Sequence, residues 1–334
     1  MLRVQRHWHN KNIAPPLHLS RANAIFAVLK IGRHPIKIFV FALIGVLWRH
    51  PIGAFSFTKK MDLLKYSKEV MQKAITDYKP KAIVMMLSGG DDSTTAYAVA
   101  KALKVPIDIV IHGYTRTGII ETTEFAIRQA EKNADKIIIA DAGDAYERYV
   151  MRKGFFGIGE NAHNYAYHVL KIQHFRRVVS ANIRKGRRDY PILFLNGGRR
   201  QESKRRLVTM QNPYKVDPSQ KNNIWVNLIN EYTKHQCLDF IEGNGIERSP
   251  VAKNICRSGE CMCGTMQSQG DRNEAAFFYP KWGRWLDSLE KEVQKKFPWK
   301  WGEGINKYHL AEANGQINMF KPMCQDCKIS SEIK

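Results

Sequence analysis

The chain has 334 residues, of which 44% are hydrophobic and 25% are charged. This length and composition are typical of a globular protein with two domains, or with one domain and appendages, and they exclude a fibrous or largely disordered chain. The formal net charge of +22 favours polyanionic partners or substrates.

The first sixty residues differ from the rest. They contain ten Lys and Arg residues and no Asp or Glu. The apolar run Ile38–Trp48 has 11 residues, which is too short for a transmembrane helix of about 20 residues. Two interpretations stay open: an interfacial or targeting segment, or a translated upstream region with Met61 as the working start. We favour the second, treat residues 1–60 as a basic N-terminal extension, and expect no transmembrane span.

Helical and strand-like segments alternate after Met61. Helices are predicted at 63–78, 92–103, 121–133, 145–151, 164–183 and 231–242, and strands at 81–87, 107–111, 136–140, 192–195 and 224–228. This alternation predicts an α/β fold with a doubly wound parallel sheet, in which ligands bind at the carboxyl ends of the strands. The chain becomes Gly- and Cys-rich and then aromatic after about Pro250, which predicts one domain at 61–250 and a small Cys-containing C-terminal module at 251–334.

A glycine turn between a strand and a helix is the most informative motif. The apolar residues Val84–Leu87 are followed by Ser-Gly-Gly-Asp-Asp-Ser-Thr at residues 88–94. Glycines let the backbone approach an anion closely, and the next helix presents free N–H groups and the positive end of its dipole. No Gly-Lys-Ser/Thr follows, so this is not a kinase P-loop. The turn is predicted to hold a pyrophosphate through Ser88, Gly89, Gly90, Asp92, Ser93 and Thr94.

This turn resembles the signature loop of the PP-loop ATP pyrophosphatases and of their relatives, the phosphoadenylyl-sulfate (PAPS) reductases. A second motif, Gly197–Arg206, resembles the PAPS reductase pattern Gly-x-Arg-x-x-Glu-Ser-x-x-Arg. Its guanidinium groups suit phosphate or sulfate, although a solvated, basic helix start would have similar residues. The residues expected to contact the nucleotide here are Gly197, Arg199, Arg200, Glu202, Ser203 and Arg206.

Two further segments carry the same resemblance, which extends over roughly residues 62 to 330. The segment Thr115–Glu124 is similar to one that lines the family's nucleotide site, which implies roles for Thr117, Gly118 and Glu121. A loop and helix cap explains the same residues equally well. The second segment, Gly154–Lys171, is similar to viral and archaeal members, and Lys171 is expected to reach a phosphate. The resemblance implies a PP-loop nucleotide-binding domain of the adenine nucleotide alpha hydrolase-like type at 61–250.

The cysteines form two close pairs, Cys261-x-Cys263 and Cys324-x-x-Cys327. Such spacing does not indicate a secreted disulfide framework, so a cytoplasmic location is expected. Four thiolates suit Zn²⁺ or an iron–sulfur cluster such as [4Fe-4S], and these four cysteines are the predicted metal ligands. Cys256 is a substitute ligand, and unrelated buried or free thiols are the alternative interpretation.

Two departures from the family's pattern bear on function. Many PP-loop proteins have Lys where this chain has Asp91, and a carboxylate there repels phosphate unless Mg²⁺ bridges the two. Assimilatory PAPS reductases have a C-terminal Glu-Cys-Gly-Leu-His element with an attacking cysteine. Here Glu260-Cys261 is followed by Met262-Cys263, so the nucleotide half matches the family better than the redox half.

The leading hypothesis is an enzyme of sulfur metabolism that binds an adenine nucleotide, PAPS or ATP with Mg²⁺. In one reaction PAPS is reduced to sulfite with a thioredoxin-type reductant. In the other, ATP is cleaved between its α- and β-phosphates to adenylate an acceptor, such as a nucleic acid, ahead of sulfur insertion. A catalytically weak nucleotide- or nucleic-acid-binding module is the alternative to both. The predicted catalytic residues are Asp92, Ser93, Arg199, Arg206 and Cys261.

Overall fold

The computed structural model describes the backbone of residues 28–31 and 34–37, together with residues 62–187 and 189–305. The chain divides into two compact units, Met1–Lys60 and Met61–Lys334. In the first unit, β1 (Val28–Ile31) and β2 (His34–Lys37) pair in antiparallel fashion. The apolar run Ile38–Trp48, for which the sequence left two interpretations open, lies outside the described residues.

The second unit is built on a six-stranded sheet in the order β5-β4-β3-β6-β8-β7. The first five strands are parallel, and β7 runs antiparallel to β8 at the edge. The strands are β3 (Ala82–Met86), β4 (Ile109–Tyr114), β5 (Ile137–Asp141), β6 (Ile192–Asn196), β7 (Tyr214–Val216) and β8 (Asn223–Asn227). The predicted α/β fold with a doubly wound parallel sheet is therefore confirmed.

Helices precede, connect and follow these strands. They are α1 (Leu63–Tyr78), α2 (Asp91–Ala102), α3 (Ile120–Lys132), α4 (Ala145–Lys153), α5 (Glu160–Tyr167), α6 (Gln173–Val179), α7 (Lys204–Thr209), α8 (Lys234–Gly243), α9 (Pro250–Ile255), α10 (Gln269–Phe278) and α11 (Pro280–Gln294). Two π-helical turns, His168–Ile172 and Ser180–Arg184, follow α5 and α6 and make one long helical segment. The helical segment expected at 164–183 therefore begins earlier and contains two wider turns. None of the described helices is both long and apolar enough to cross a membrane.

The strand order places the ligand site. Strand β3 lies between β4, which follows it in the chain, and β6, which follows much later. The chain runs from β3 through β4 to β5 on one side and then crosses back to β6 on the other side of β3. In open parallel sheets such a switch point forms a crevice at the carboxyl ends of the strands. The central strands β3 and β6 have mostly buried residues, as expected for a sheet covered on both faces. The turn at residues 88–90 leaves β3 at this crevice.

The segment after Pro250 packs against residues earlier in the second unit. Three indole N–H groups donate to backbone carbonyls: Trp282 to Thr117 at 2.9 Å, Trp299 to Phe155 at 3.0 Å and Trp301 to Met262 at 3.0 Å. These rings share one buried cluster with residues from α4, α5 and α9. The tryptophans therefore fix the end of the described chain against the loops beside the crevice.

Candidate active site

An open cleft of about 1190 Å³ lies at the carboxyl ends of the parallel strands. Small-ligand sites commonly have volumes of about 300–1,000 Å³, so this cleft has room for a nucleotide and more. Its lining is rich in charge. The cations are Lys171, Arg199, Arg205, Arg206, Lys215, Lys234 and Arg257, and the carboxylates are Asp91, Asp92, Glu202, Asp217 and Glu260.

The turn after β3 bonds its serine hydroxyls internally and leaves the first N–H groups of α2 open to the cleft. Gly89 has a φ of +78°, and a Cβ there would lie 2.7 Å from Cγ2 of Thr122, so a glycine is required. The hydroxyl of Ser93 accepts from the backbone N–H of Ser88 at 3.2 Å and donates to the carbonyl of Gly90 at 3.0 Å. Gly90 caps α2 without a side-chain hydrogen bond, so the first N–H groups of α2 are available to an anion.

Not every predicted residue of this turn faces the cleft. Ser88, Gly90, Asp92 and Ser93 line it, whereas Gly89 and Thr94 do not. Thr94 is buried, and its hydroxyl has no hydrogen-bond partner among the described residues.

Five charged groups form a connected network at the start of α2. Arg248 donates to both carboxylate oxygens of Asp91, at 2.7 and 2.9 Å. Lys234 donates to Asp91 at 2.8 Å and to Asp92 at 3.3 Å. Asp92 in turn pairs with Arg199 at 3.0 Å. The network joins the phosphate turn to α8, to the loop before α9 and to the loop after β6.

This network changes the interpretation of Asp91. Burial by itself raises the pKa of a carboxyl group, but hydrogen bonds from Arg248 and Lys234 outweigh it and lower the pKa of Asp91. The side chain of Asp91 is only 2% exposed. The expectation that Asp91 repels phosphate is therefore wrong, because two cations already neutralise this carboxylate.

The arginine motif reaches the phosphate turn through close backbone packing. A Cβ on Gly197 would lie 2.6 Å from the carbonyl oxygen of Asp92 and from the backbone nitrogen of Ser93. Arg199 is thereby held beside Asp92, and its side chain is 6% exposed. Its Nε has no hydrogen-bond partner among the described residues. A buried guanidinium N–H without a partner is costly unless a ligand or water accepts from it.

The other members of the motif divide into two groups. Gly197, Glu202 and Arg206 line the cleft with Arg199, and Arg206 pairs with Glu202. Arg200 instead pairs with Glu231 at 3.0 Å, away from the cleft lining. Ser203 caps α7 by accepting from the backbone N–H of Arg206.

The Thr117–Glu121 motif does not reach the cleft. The hydroxyl of Thr117 accepts from the backbone N–H of Met262 at 3.1 Å. A Cβ on Gly118 would lie 2.2 Å from the carbonyl oxygen of Glu260. Thr117, Gly118 and Glu121 are absent from the lining of this cleft. The described contacts therefore assign Thr117 and Gly118 to packing against the segment that contains Cys261.

Lys171 lines the cleft but is bound to another protein group. Its Nζ donates to Glu260 at 2.5 Å. Burial by itself lowers a lysine pKa, but the Glu260 carboxylate outweighs it and raises the pKa of Lys171. Lys171 therefore stays protonated beneath the cleft, where it can contribute positive charge toward a bound anion.

Three of the described thiols lie at or near the cleft, whereas Cys237 is buried on α8. Cys261 and Cys263 lie behind the cleft wall, where Cys263 contacts the Thr265 hydroxyl at 3.3 Å. Hydrogen bonds from Cys261 and Thr265 outweigh burial and lower the pKa of Cys263. Cys256 is exposed and lines the cleft. Cys324 and Cys327 lie outside the described residues, and within the described part no group of three or more His, Cys, Asp or Glu side chains could hold a metal.

Several cleft residues were missed by sequence reasoning. The cations Lys215 and Lys234 come from segments without a motif, and so do the aromatic residues Phe175 and Trp225. Arg205 and Tyr167 lie inside segments that resemble the family, but neither was singled out as a site residue. Only the excess of basic residues signalled such groups. Their arrangement depends on contacts between distant parts of the chain.

The cleft can bind and polarise an anionic group. It combines the free N–H groups of α2, serine hydroxyls and a majority of cations. Donors fixed in a partly buried site stabilise charge on a leaving phosphate or sulfate better than water does, because they need no reorganisation.

Comparison with known proteins agrees with this geometry. The family model of the phosphoadenosine phosphosulfate reductase domain matches residues 82–266, more than half of the chain. This range includes the phosphate turn, the arginine motif and Cys263. It confirms the family resemblance that the motifs indicated. No curated protein gives a significant match.

Solved structures with similar folds have low sequence identity. PAPS reductase from Candida auris in a phosphate complex has a TM-score of 0.41 and 14% identity, and the match covers 56% of this chain and 83% of that chain. FMN adenylyltransferase from Candida glabrata, with FMN and an ATP analogue, has a TM-score of 0.42 and 8% identity over 58% of this chain and 60% of that chain. NMN synthetase from Francisella tularensis has a TM-score of 0.42 and 12% identity over 78% of this chain and 99% of that chain.

Proposed function

Since this chain belongs to the phosphoadenosine phosphosulfate reductase domain family, we propose that it is an enzyme that binds phosphoadenylyl sulfate in the cleft and reduces it to sulfite. The observation that carries the proposal is the open start of α2 beside Arg199. Backbone N–H groups, a hydroxyl and a guanidinium with an unpartnered Nε converge there. An adenylyl nucleotide supplies the anionic oxygens that such donors bind.

In this proposal the phosphate turn and the arginine motif share the charge of the nucleotide. Ser88, Gly90 and Ser93 contact one phosphate, and Arg199 and Arg206 contact the sulfate or the second phosphate. Asp92 orients Arg199 through their ion pair of 3.0 Å. Electrostatic stabilisation of the departing adenosine bisphosphate is then the main catalytic contribution of these residues.

Reduction also requires a thiol that reaches the sulfur. In the proposed step a thiolate attacks sulfur, the bond from sulfur to the phosphate oxygen breaks, and adenosine 3′,5′-bisphosphate leaves. A dithiol of the thioredoxin type then releases sulfite from the cysteine and is itself oxidised to a disulfide. Sequence reasoning placed Cys261 in this role. Among the described cysteines, Cys256 is the one that lines the cleft, so both thiols are candidates for the test.

The metal hypothesis is kept for Cys261 and Cys263. Their thiols are adjacent, and the lowered pKa of Cys263 suits a ligand that binds as thiolate. Together with Cys324 and Cys327 they would hold Zn²⁺ or an iron–sulfur cluster, which would brace this wall of the cleft. Anaerobic purification followed by metal and sulfide analysis, with Cys263→Ser as the variant and Cys237→Ser as the control, tests this assignment.

A second candidate is cleavage of ATP with Mg²⁺ to adenylate an acceptor. The volume of about 1190 Å³ and the cation Lys215 in the cleft lining favour it, because they leave room and charge for a second anionic substrate. The adenylating reaction would use the same phosphate turn and the same Arg199.

Product identity decides between the two reactions. The full chain, purified without oxygen, is given either PAPS with a dithiol or ATP with Mg²⁺, and the products are resolved by mass spectrometry. Adenosine 3′,5′-bisphosphate with sulfite supports the reductase, and AMP with pyrophosphate supports the adenylating enzyme. Loss of sulfite in Cys256→Ser but not in Cys261→Ser assigns the attacking thiol, and the reverse result restores Cys261. Absence of all these products overturns both proposals.

A further inference from the structure

A second, smaller pocket lies where β6 and β8 begin, at the edge of the sheet opposite the cleft. Its volume is about 320 Å³. One side is formed by the end of the long helical segment, with Arg184 and Arg187. The other side is formed by the turn between β7 and β8, with Gln220 and Lys221. No motif pointed to this pocket.

The same two elements also line the far end of the cleft. The helical segment contributes Ile172 and Phe175, and the β7–β8 connection contributes Asp217 and Pro218. Between the two cavities, Arg176 and Ser219 are joined by a hydrogen bond of 2.6 Å from Nη2 to Oγ. The helical segment and the turn are therefore in contact between the two cavities, and together they form one surface from the cleft to the smaller pocket. We call residues 172–187 and 215–222 the basic groove.

The charge of the basic groove is one-sided. Its cations are Arg176, Arg177, Arg184, Lys185, Arg187, Lys215 and Lys221, and its one carboxylate is Asp217. None of the described residues forms an ion pair with Arg177, Lys185 or Lys221, and all three side chains belong to exposed residues. Asp217 accepts from the backbone N–H and the hydroxyl of Ser219. The single carboxylate therefore does not neutralise the exposed cations.

Other exposed helices of the second unit are built differently. On α1, Lys73 pairs with Asp77 at 2.7 Å. Near α11, Lys295 pairs with Glu292 at 2.6 Å. Mixed charge is the usual state of a solvated helix surface, since opposite charges four residues apart stabilise the helix. The helical segment of the basic groove lacks this arrangement, so repulsion between its cations destabilises it in the absence of an anionic partner.

We propose that the basic groove binds a single strand of nucleic acid. Five of the seven cations follow a helical segment of about 20 Å, at 1.5 Å per residue, and the other two lie on β7 and on the facing turn between β7 and β8, so together they match a linear row of phosphates. The guanidinium carbon of Arg187 lies over the ring of Tyr190, 4.6 Å from its centroid. Trp225 and Tyr167 line the cleft. Cationic grooves with aromatic faces are the usual means of holding single strands.

The proposal goes beyond the proposed function and does not depend on it. The pocket of about 320 Å³ admits one nucleotide unit but not a duplex. A strand in the groove points its nearer end into the cleft, and the adenylating reaction would there find an acceptor. The same surface could instead bind an acidic segment of a second copy of the chain, and the test separates these outcomes.

The test uses the full chain with the double variant Arg177→Gln/Lys185→Gln. The matched control is Lys132→Gln/Lys136→Gln, which removes the same charge from two exposed residues, one at the end of α3 and one just before β5. Filter binding with 12-nucleotide polyuridine and polythymidine strands is measured from low to moderate salt. Two lost phosphate contacts reduce the slope of log K against log salt by about 1.4, at ~0.7 per contact for single strands.

We expect the groove variant to bind each strand at least tenfold more weakly than the control, with the reduced slope. Equal binding and equal slopes in the two variants would overturn the proposal, since the strand would then be held elsewhere, for example by the basic residues 1–60. A change in oligomeric state by sedimentation, with strand binding unchanged, would overturn it in favour of self-association. Binding of adenosine 3′,5′-bisphosphate is measured in parallel: its failure in the unaltered chain counts against the proposed function and leaves the groove result standing.

Discussion

The two walls of the cleft use similar residues in opposite ways. The phosphate wall, residues 88–93 and 197–206, and the cysteine segment, residues 257–265, both contain glycine, serine and charged side chains. In the phosphate wall the first N–H groups of α2 lack a side-chain cap, and the Nε of Arg199 lacks a partner among the described residues. These donors remain for a ligand.

The backbone carbonyls of the cysteine segment accept hydrogen bonds from other parts of the protein. The carbonyl of Glu260 accepts from the Thr115 hydroxyl at 2.7 Å, and the carbonyl of Ser258 accepts from the Thr122 hydroxyl at 2.6 Å. The carbonyl of Met262 accepts from Trp301. The comparison shows that a wall can bind a ligand when its hydrogen-bond donors lack partners within the protein. A segment rich in reactive residues can instead have a mainly structural role when its polar groups are already paired.

The largest expected effect is a loss of folding stability on substitution of Asp91, which lies beneath the phosphate wall. Asp91→Ala leaves Arg248 without its carboxylate partner and Lys234 with Asp92 alone, and breaking a buried pair costs up to about 3–5 kcal/mol. We expect urea denaturation to show a loss of this size in the free energy of unfolding. Asp77→Ala, which removes an exposed ion pair with Lys73, is the control and should cost at most about 1 kcal/mol. Equal losses would mean that the Asp91 network does not hold the wall together.

The same carboxylate predicts a pH dependence. The folded chain has the pKa of Asp91 below its ordinary value of 3.8, so the folded state binds this proton less readily than the unfolded state. The stabilisation is complete above about pH 4 and is lost as the pH falls through the folded pKa. Unfolding measured between pH 5 and pH 2 should show this loss in the unaltered chain and much less of it in Asp91→Ala.

Arg199→Ala tests the open donors of the phosphate wall. Loss of one donor to a developing anion reduces turnover by about 10²–10³, or ~2.7–4 kcal/mol. Arg128→Ala removes an exposed arginine that pairs with Glu247 and should leave turnover unchanged. Turnover is measured with whichever nucleotide gives product. An unchanged rate in a folded Arg199→Ala enzyme would show that this guanidinium does not act on the substrate.

Gly118→Ala tests the closed packing of the cysteine segment. The new Cβ would meet the Glu260 carbonyl oxygen at 2.2 Å, and overpacking of this kind costs about 1–3 kcal/mol. Gly243→Ala adds the same methyl group at the end of α8, where nothing lies within 4 Å, and should be neutral or stabilising by up to ~1 kcal/mol. Thermal unfolding of the two variants compares them directly. An unchanged melting temperature in Gly118→Ala would show that the cysteine segment can shift to make room for the methyl group at little cost.

The smallest effect is expected at Lys234. This side chain is 46% exposed and bridges Asp91 and Asp92. A bound phosphate could therefore form an ion pair with its ammonium group. Lys234→Gln should weaken binding of adenosine 3′,5′-bisphosphate by about twofold to fivefold, since exposed ion pairs contribute ~0.2–1 kcal/mol. Isothermal titration with Lys291→Gln as control measures it. Identical dissociation constants would remove Lys234 from the site.

Sequence reasoning succeeded where a local pattern determines the structure. The helix predicted at 63–78 has those bounds in the structure, and the turn at 88–93 opens the cleft as expected. Apolar periodicity and glycine chemistry act over a few residues, so they can be read from the chain directly. The helices α9, α10 and α11 were missed: α9 has only six residues, which is too short for a periodic pattern, whereas Trp282, Leu286 and Val293 of α11 have a helical spacing that could have been recognised.

The rest depends on partners distant in sequence. Asp91 meets Arg248, 157 residues later, and no local rule indicates that pair. Thr117 and Gly118 match a family pattern, yet the described contacts place them against residues 259–262. Cys256 attracted little attention in the sequence because its cleft position follows from the left-handed turn that ends α9, where its φ is 54°.

The placement of the indole rings gives the protein two separate optical probes. Trp225 lines the cleft and lies 5.1 Å from Phe194, between ring centroids, so its emission responds to a ligand. Trp282, Trp299 and Trp301 are buried at the cysteine segment and its neighbours, so their emission responds to the loosening of that packing. The chain has seven tryptophans, so variants that keep only one of these two sets can report ligand occupancy and the integrity of the opposite wall separately, without attaching a dye.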